Sequence, residues 1–227
     1  MNPAELHPAL RQSLFITGTD TGVGKTTVSV LLLRALASSG LRAAGMKPVA
    51  AGATMTSHGW RNDDALDLAA AGNVDIPYAW LNPCCLPAAT APHIAAQSAG
   101  TSIEIAPIKA AFANIRTRSD VIIVEGAGGW FVPLDAAGPH DHGQTMQDVA
   151  QVLQLPVVLI VGLRLGALNH ALLSAEAILR SGLPFAGWIA NPIDPQFPDA
   201  GMYVEYLTRR LAAPLLWKAP RVILPGQ

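Results

Sequence analysis

Along most of the chain, short uninterrupted apolar runs alternate with longer stretches whose apolar residues recur at helical spacing. Val28, Leu31, Leu32, Ala35 and Leu36 fall at i, i+3, i+4, i+7 and i+8, which predicts a helix over 26–39. Gly40 follows its last turn, where a left-handed stop is expected. The run Val-Ile-Ile-Val at 121–124 and the run Val-Val-Leu-Ile-Val at 157–161, announced by Pro156, carry no polar alternation and predict strands covered on both faces. Further strands are predicted at 14–17, 41–46 and 185–190. Helices are predicted at 62–71, 105–118 (with Pro107 in the first turn), 167–180 and 199–211. That alternation predicts an α/β fold: one domain over 1–227, a mostly parallel sheet with helices on both faces. Residues 1–12 read as a poorly ordered N-terminal extension, and no repeat, low-complexity tract or linker divides the rest.

Composition removes several classes of function. With 51% hydrophobic and 14% charged residues the chain is not intrinsically disordered. Its 15 basic and 16 acidic side chains leave a net charge of −1, which argues against nucleic-acid binding, since that needs a basic surface to displace counterions. The uncharged stretch 76–103 contains Pro77, Pro83, Pro87 and Pro92 and reads as a loop region, so no membrane span is expected. The N-terminus lacks a basic segment followed by an apolar run, so no signal peptide is expected. Cys84 and Cys85 are adjacent and form no CxxC pair; they read as two reduced thiols in a cytoplasmic protein.

The most informative segment is Gly18-Thr19-Asp20-Thr21-Gly22-Val23-Gly24-Lys25-Thr26-Thr27, between a predicted strand and a predicted helix. Small residues let successive backbone N–H groups turn toward a polyphosphate, and the helix N-terminus adds unsatisfied donors. Lys25 would reach the β- and γ-phosphates and Thr26 would offer its hydroxyl to Mg²⁺. Five residues, not the usual four, separate Gly18 from Gly24, so Thr19 holds the common first-glycine position. The alternative is a Gly-rich turn capped by Thr with Lys25 merely solvated. The coincidence of strand, turn, Lys-Thr and amphipathic helix favours a P-loop NTPase-like fold.

Three further charges lie near this loop in the predicted topology. Glu125 ends the strand at 121–124, where parallel strands deliver their carboxyl ends to a ligand crevice; it suits Mg²⁺ or its outer shell, the alternative being a surface turn. Lys47 ends the second predicted strand and could steady an anion, or be an ordinary surface lysine. Asp63 and Asp64 follow Arg61-Asn62, and helix capping is their simpler role.

These residues together resemble the dethiobiotin synthetase family. The matching segments are Thr17 to Thr21 with Val23 to Thr26, Ala44-Gly45 with Lys47-Pro48-Val49-Ala50, Arg61-Asn62 with Asp64-Ala65-Leu66, and Pro92-His93. They continue with Val124 through Trp130, Leu165-Gly166, Asn169-His170, Ala186-Gly187-Trp188 and Ala190-Asn191. GKT is shared by many ATPases; KPVA, EGAGGW and LGxxNH together are far more specific. The resemblance implies an ATP-dependent cyclo-ligase of the penultimate step of biotin synthesis. Its substrates would be 7,8-diaminopelargonic acid, CO2 and ATP, with Mg²⁺ as cofactor. ATP would be held by Gly22 through Thr27, Asp64, Glu125, Gly126, Ala127, Gly128, Asn191, Pro192 and Pro220. The substrate would be held by Thr21, Lys47, Ala51, Gly128 and Asn169, the last across a homodimer interface. Thr26, Asp64 and Glu125 would hold the metal, and Lys25 and Lys47 would be catalytic.

There are departures from the family. Gly22 replaces a Glu, Ala51 stands where a Ser can touch substrate, and Trp217 replaces the Gly usual after Pro-Leu-Leu. The sequence also reaches Gln227 ahead of a segment that often closes over the base. Several other residues carry no assignment. His140-Asp141-His142 reads as a solvated loop, His93 and His170 are not required as acid or base, and Trp130 and Trp188 read as core aromatics. Two other classes compete: a P-loop switch of the partition or nitrogenase-iron-protein type, which has an extra Lys where Thr19, Asp20 and Thr21 stand, and an amide-forming enzyme acting on a corrinoid ring, whose glutamine-hydrolysing domain 227 residues would not accommodate.

Overall fold

The structure is a computed structural model and describes residues 6–136 and 143–219. In chain order the elements are β1 (Leu14–Gly18), α1 (Lys25–Ser38), β2 (Ala43–Met46), β3 (Val49–Ala51), β4 (Thr54–Thr56), β5 (Gly59–Arg61), α2 (Asp63–Ala71), α3 (Tyr78–Leu81), β6 (Cys84–Leu86), α4 (Pro92–Ser98), α5 (Ile105–Arg116), β7 (Val121–Gly129), α6 (Met146–Leu153), β8 (Val157–Leu163), α7 (Ala167–Arg180), β9 (Phe185–Pro192), α8 (Ala200–Arg210) and β10 (Leu215–Lys218). Six strands form one sheet in the order β10-β9-β8-β1-β7-β2, every neighbouring pair parallel. β3 with β6 and β4 with β5 form two-stranded annexes beside it.

The apolar runs explain the layers. Along β1, Phe15 faces one core while Leu14 and Ile16 face the other. β7 divides in the same way, Ile122 and Val124 against Val121 and Ile123. Two-fold side-chain alternation with apolar residues on both sides is what a sheet covered on both faces requires. One core takes α1 and α2 through Val28, Leu32, Leu36 and Leu68. The other takes α5, α6, α7 and α8 through Ile108, Met146, Ala171 and Leu207.

The structure differs from the sequence pattern in instructive places. Residues 6–12 are not a loose extension: a 3-10 turn at Pro8–Leu10 buries Leu10, and Leu6 is buried with it against the α1 side. The segment 76–103 contains α3, β6 and α4, because Pro77 and Pro92 start helices, where proline needs no N–H. β7 runs through Glu125 to Gly129, longer than the apolar run, because its polar end still pairs with β1. α6 was absent from the pattern, although Thr145 and Asp148 form a capping box at its start. β10 leaves no such pattern either; Trp217 on it pairs beside Ile189 and packs against the α1-side core. The loop 140–142 and Pro220 lie outside the described residues. Among those described, no helix is long and apolar enough to cross a membrane.

If the N-terminal turn is part of the core, Leu10→Ala should destabilise the protein by about 2–5 kcal/mol in a denaturant titration. A loss within a few tenths of a kcal/mol would mean that the segment is only laid on the surface.

Candidate active site

β1 leads directly into the loop at 19–24, and α1 starts at Lys25 with no side chain capping its N-terminus. Gly24 has a φ of 83°, and a Cβ there would run into the side-chain amide of Asn191. That amide donates to the Val23 carbonyl at 2.8 Å, so the end of β9 pins the loop from behind. Asp20 ties the loop on the other side. One of its carboxylate oxygens accepts from the Thr21 N–H at 2.7 Å, the other pairs with Arg164 at 2.5 Å, and its carbonyl accepts from Lys25 Nζ at 3.0 Å. The Asp20–Arg164 pair joins residues far apart in sequence and has no sequence signal.

β2 pairs with β7 so that Met46 lies beside Val124, which sets Lys47 next to Glu125 at the carboxyl ends of both strands. The third charge arrives on α2. Asn62, and neither aspartate, is its N-cap: Asn62 Oδ1 accepts from the Ala65 N–H at 3.3 Å. Capping by Asn62 leaves the Asp64 carboxylate to face the loop. An Asn immediately before Asp-Asp was the readable signal for this.

The result is a compact charge cluster. Lys47 Nζ lies 2.6 Å from Glu125 Oε1 and 2.8 Å from Asp64 Oδ2. The Thr26 hydroxyl lies 2.9 Å from Asp64 Oδ1 and 2.9 Å from Glu125 Oε1. The Glu125 side chain has no exposed surface and that of Lys47 is 5% exposed, whereas Asp64 keeps 43%. Burial alone would pull the Lys47 ammonium down, but the Glu125 and Asp64 carboxylates outweigh it, so its pKa stands above the ordinary lysine value. Asp64 shows the converse: burial pushes it up, and Lys47 with its hydrogen bonds brings it below the ordinary carboxylate value. Lys25 lacks such partners at close range, and burial, reinforced by the Lys47 charge, lowers it to about 8.

Two cavities meet at this cluster. One, of about 810 Å³, is lined by Gly22, Gly24, Lys25, Thr26, Thr27 and Glu125 among others; the second, of about 510 Å³, is lined by Ala51, Thr90, Pro92 and Ala127 among others. They share Thr21, Lys47, Asp64 and Gly128 as a common wall. A larger cavity of about 920 Å³ beside His93 and Phe131 contains neither the lysines nor Glu125, so charge, not size, marks the site.

Of the residues expected from sequence, Thr21, Gly22, Gly24, Lys25, Thr26, Thr27, Lys47, Ala51, Asp64, Glu125, Ala127 and Gly128 line these two cavities. Val23 lies beneath the loop and is buried, offering its carbonyl to Asn191. Gly126 is also buried, and a Cβ there would meet the Phe15 ring at 3.2 Å, so it serves packing of β7 on β1. Asn191 and Pro192 close β9 beside the loop. Asn169 is exposed on α7 and lines neither cavity.

The oxygens fit a hard divalent cation. Glu125 Oε2 is buried with no hydrogen-bond partner, next to the Thr26 hydroxyl and the Asp64 carboxylate. Among the described residues no group of three or more His, Cys, Asp or Glu side chains could hold a metal, so protein ligation would be sparse. Sparse protein ligation completed by water and phosphate oxygens is the habit of Mg²⁺.

A family description given as an AAA domain matches residues 12–220. The ATP-dependent dethiobiotin synthetase BioD of Xanthomonas axonopodis pv. citri is 49% identical to this chain over 94% of it and 91% of the relative. The protein of the same name from Xylella fastidiosa is 47% identical over 92% of this chain and 90% of the relative. Among solved structures, the MinC:MinD cell division protein complex of Aquifex aeolicus is similar with a TM-score of 0.57 at 15% identity, covering 93% of this chain and 82% of that one. The signal recognition particle 54 kDa protein of Aeropyrum pernix in complex with GDP gives 0.52 at 16% identity, covering 96% and 43%. At those identities the two structures speak for the fold alone.

Two outcomes follow from the electrostatics. Lys47→Ala strands the buried Glu125 carboxylate, and should cost about 3–5 kcal/mol of stability in a denaturant titration. Lys25 has a folded-state pKa of about 8 against an ordinary 10.5. Between those values the folded protein holds fewer protons at this group than the unfolded chain does, so the group's contribution to stability rises with pH across that window. Binding of a nucleotide triphosphate favours the ammonium, so it should weaken as pH rises above about 8 and take up protons there. Calorimetry at pH 8.5 in buffers of different ionisation enthalpy reads that uptake, and no uptake would remove the assigned state of Lys25.

Proposed function

The chain belongs to the dethiobiotin synthetase family, and from that premise we propose that it uses ATP to carboxylate 7,8-diaminopelargonic acid with CO2 and close the ring of dethiobiotin. The enzyme is thus an ATP-dependent cyclo-ligase of biotin biosynthesis. The observation that carries the finer reading is the wall shared by two cavities, with Lys47 in it. A nucleotide in the loop-lined cavity and a diamine in the other would bring the γ-phosphate and the reacting amine together there.

The chemistry divides into three steps. One amine adds to CO2 and loses a proton, giving a carbamate. The carbamate oxygen attacks the γ-phosphorus, ADP departs, and a carbamic–phosphoric anhydride forms. The second amine attacks the carbonyl carbon, phosphate leaves, and the cyclic urea results. A carbamate oxygen is a weak nucleophile, so catalysis rests on positioning and charge neutralisation. Lys47 holds the anionic carbamate, and its positive charge disfavours the ammonium form of the neighbouring amine. Lys25 neutralises the transferring phosphoryl group. Thr26, Asp64 and Glu125 would hold Mg²⁺, which supplies charge neutralisation at the phosphate oxygens. Asn191 would read the adenine edge, with Pro192 and Pro220 beside the base.

The protein works as a homodimer in this account. Asn169, outside both cavities of its own subunit, would meet the substrate carboxylate of the partner. Leu165 just before α7 and Leu173 on it, 81% and 63% exposed, would be covered by the same association.

ATP turnover with bicarbonate should depend on the diamine, with dethiobiotin appearing by mass spectrometry. Diamine-independent hydrolysis without that product, the behaviour of a switch ATPase, would overturn the assignment. Asn169→Ala should raise KM for the diamine about 10- to 100-fold, the equivalent of a charge-assisted hydrogen bond of roughly 1.5–3 kcal/mol. Mixing Asn169→Ala with Lys25→Ala subunits should restore activity, because one site of each mixed dimer is whole. Failure to complement would place Asn169 in the site of its own subunit or in none.

A further inference from the structure

A partly buried hydrogen-bond network behind the cleft joins the two segments that carry Lys47 and Asp64. The Tyr78 hydroxyl accepts from the Asn62 N–H at 2.8 Å and lies 3.1 Å from Asn82 Oδ1, to which it donates. Asn82 is 3% exposed, and its Nδ2 donates to the Lys47 carbonyl at 2.7 Å and to the Cys84 carbonyl at 3.1 Å. The Lys47 N–H in turn donates to the Leu81 carbonyl at 2.7 Å. α3 and the residue after it therefore grip the backbone of Lys47 on one side and the N-cap of α2 on the other. The Arg61 guanidinium lies over the Tyr78 ring, 4.0 Å from its centre. None of these groups reaches either the loop or the shared cavity wall with a charge of its own.

From this chain of contacts we infer that Tyr78 and Asn82 are positioning residues for the reaction, setting the Lys47 ammonium and the Asp64 carboxylate at their mutual distance. The inference rests on the ring-closure assignment for its rate effect, and on the cluster geometry alone for its effect on the metal site. Lys47 and Asp64 reach the cluster from separate segments, β2 and α2, and each is set by only a few backbone bonds. The network is the direct link between those bonds. Burial pushes the Tyr78 phenol up to about 12, so it stays protonated and able to donate. A displacement of about 1 Å at a reacting group is worth up to about 100-fold in rate, so the network has ample leverage.

Tyr78→Phe removes one oxygen and keeps the ring. Diamine-dependent kcat should fall about 10- to 100-fold with the KM for ATP unchanged within about twofold, because the phosphate loop is held elsewhere, by Asn191 and Arg164. In parallel, half-saturating Mg²⁺ in a titration of a fluorescent ADP analogue should rise about fivefold or more, since Asp64 is misplaced. Asn82→Leu should give the same pattern, and the double variant should lose no more than the worse single one, as expected for one connected network. Ser119→Ala deletes a buried hydroxyl away from the cluster, bonded to the Ile115 carbonyl at 2.7 Å after the end of α5, and should leave kcat and the Mg²⁺ requirement unchanged. Wild-type kcat and Mg²⁺ requirement in Tyr78→Phe, additive losses in the double variant, or equal losses in Ser119→Ala would each overturn the inference. If the wild type makes no dethiobiotin, the functional assignment fails, and the Mg²⁺ titration still decides the positioning role. Should Tyr78→Phe fail to fold, Asn82→Leu reads the same effect from the Lys47 side.

Discussion

A carboxylate with no exposed surface sits at the centre of this protein, and much of the architecture answers to it. Glu125 stands at the end of the apolar run of β7, and burying any carboxylate away from water costs several kcal/mol unless a cation meets it. Lys47 supplies that cation, and β2 must therefore lie beside β7 in a register that brings Met46 opposite Val124. Shifting that register by one residue would turn Lys47 to the other face and leave both ions unpaired. The pair is poor evidence for stability, since apolar residues of equal volume would often hold the sheet as well. Its consequence is chemical: a fixed positive charge, already stripped of water, stands on the wall shared by the two cavities.

The phosphate loop and the charge cluster are built by different means. The loop is short and glycine-rich, and its shape is imposed from outside by the Asn191 amide and the Asp20–Arg164 pair. The cluster is imposed from within the sheet and by helix α2. The two systems touch through Thr26, whose hydroxyl lies 2.9 Å from an oxygen of each carboxylate and can donate its one proton to either from the first turn of α1. Loop and cluster thus share one hydroxyl while depending on separate scaffolds.

Much of this was legible in the chain itself, and the limits are physical. The long apolar strands and the amphipathic α1 announce themselves, because burial on both faces or on one stripe leaves a periodic trace. Lys25, Thr26 and Glu125 follow from their places after a strand or before a helix. Lys47 and Asp64 were ambiguous from composition because each has an ordinary surface role. Only the pairing of β2 with β7 and the capping of α2 by Asn62 decide between the two. The Tyr78–Asn82 network and the Asp20–Arg164 pair left no periodic trace at all, since they depend on where distant segments meet. The short elements between 76 and 103 were obscured by prolines that start helices here instead of breaking them.

The left-handed turn at Gly24 has an effect that reaches across the chain. Its missing side chain is the space in which the Asn191 amide lies, and that amide in turn satisfies the carbonyl of Val23. Positions 24 and 191 are thereby coupled in space although they stand far apart in the sequence. A larger residue at the first evicts the second, and a residue at 191 without an amide donor leaves an orphaned carbonyl under the phosphates. The two positions therefore act as one structural unit, and a change at either is felt at the other end of the chain.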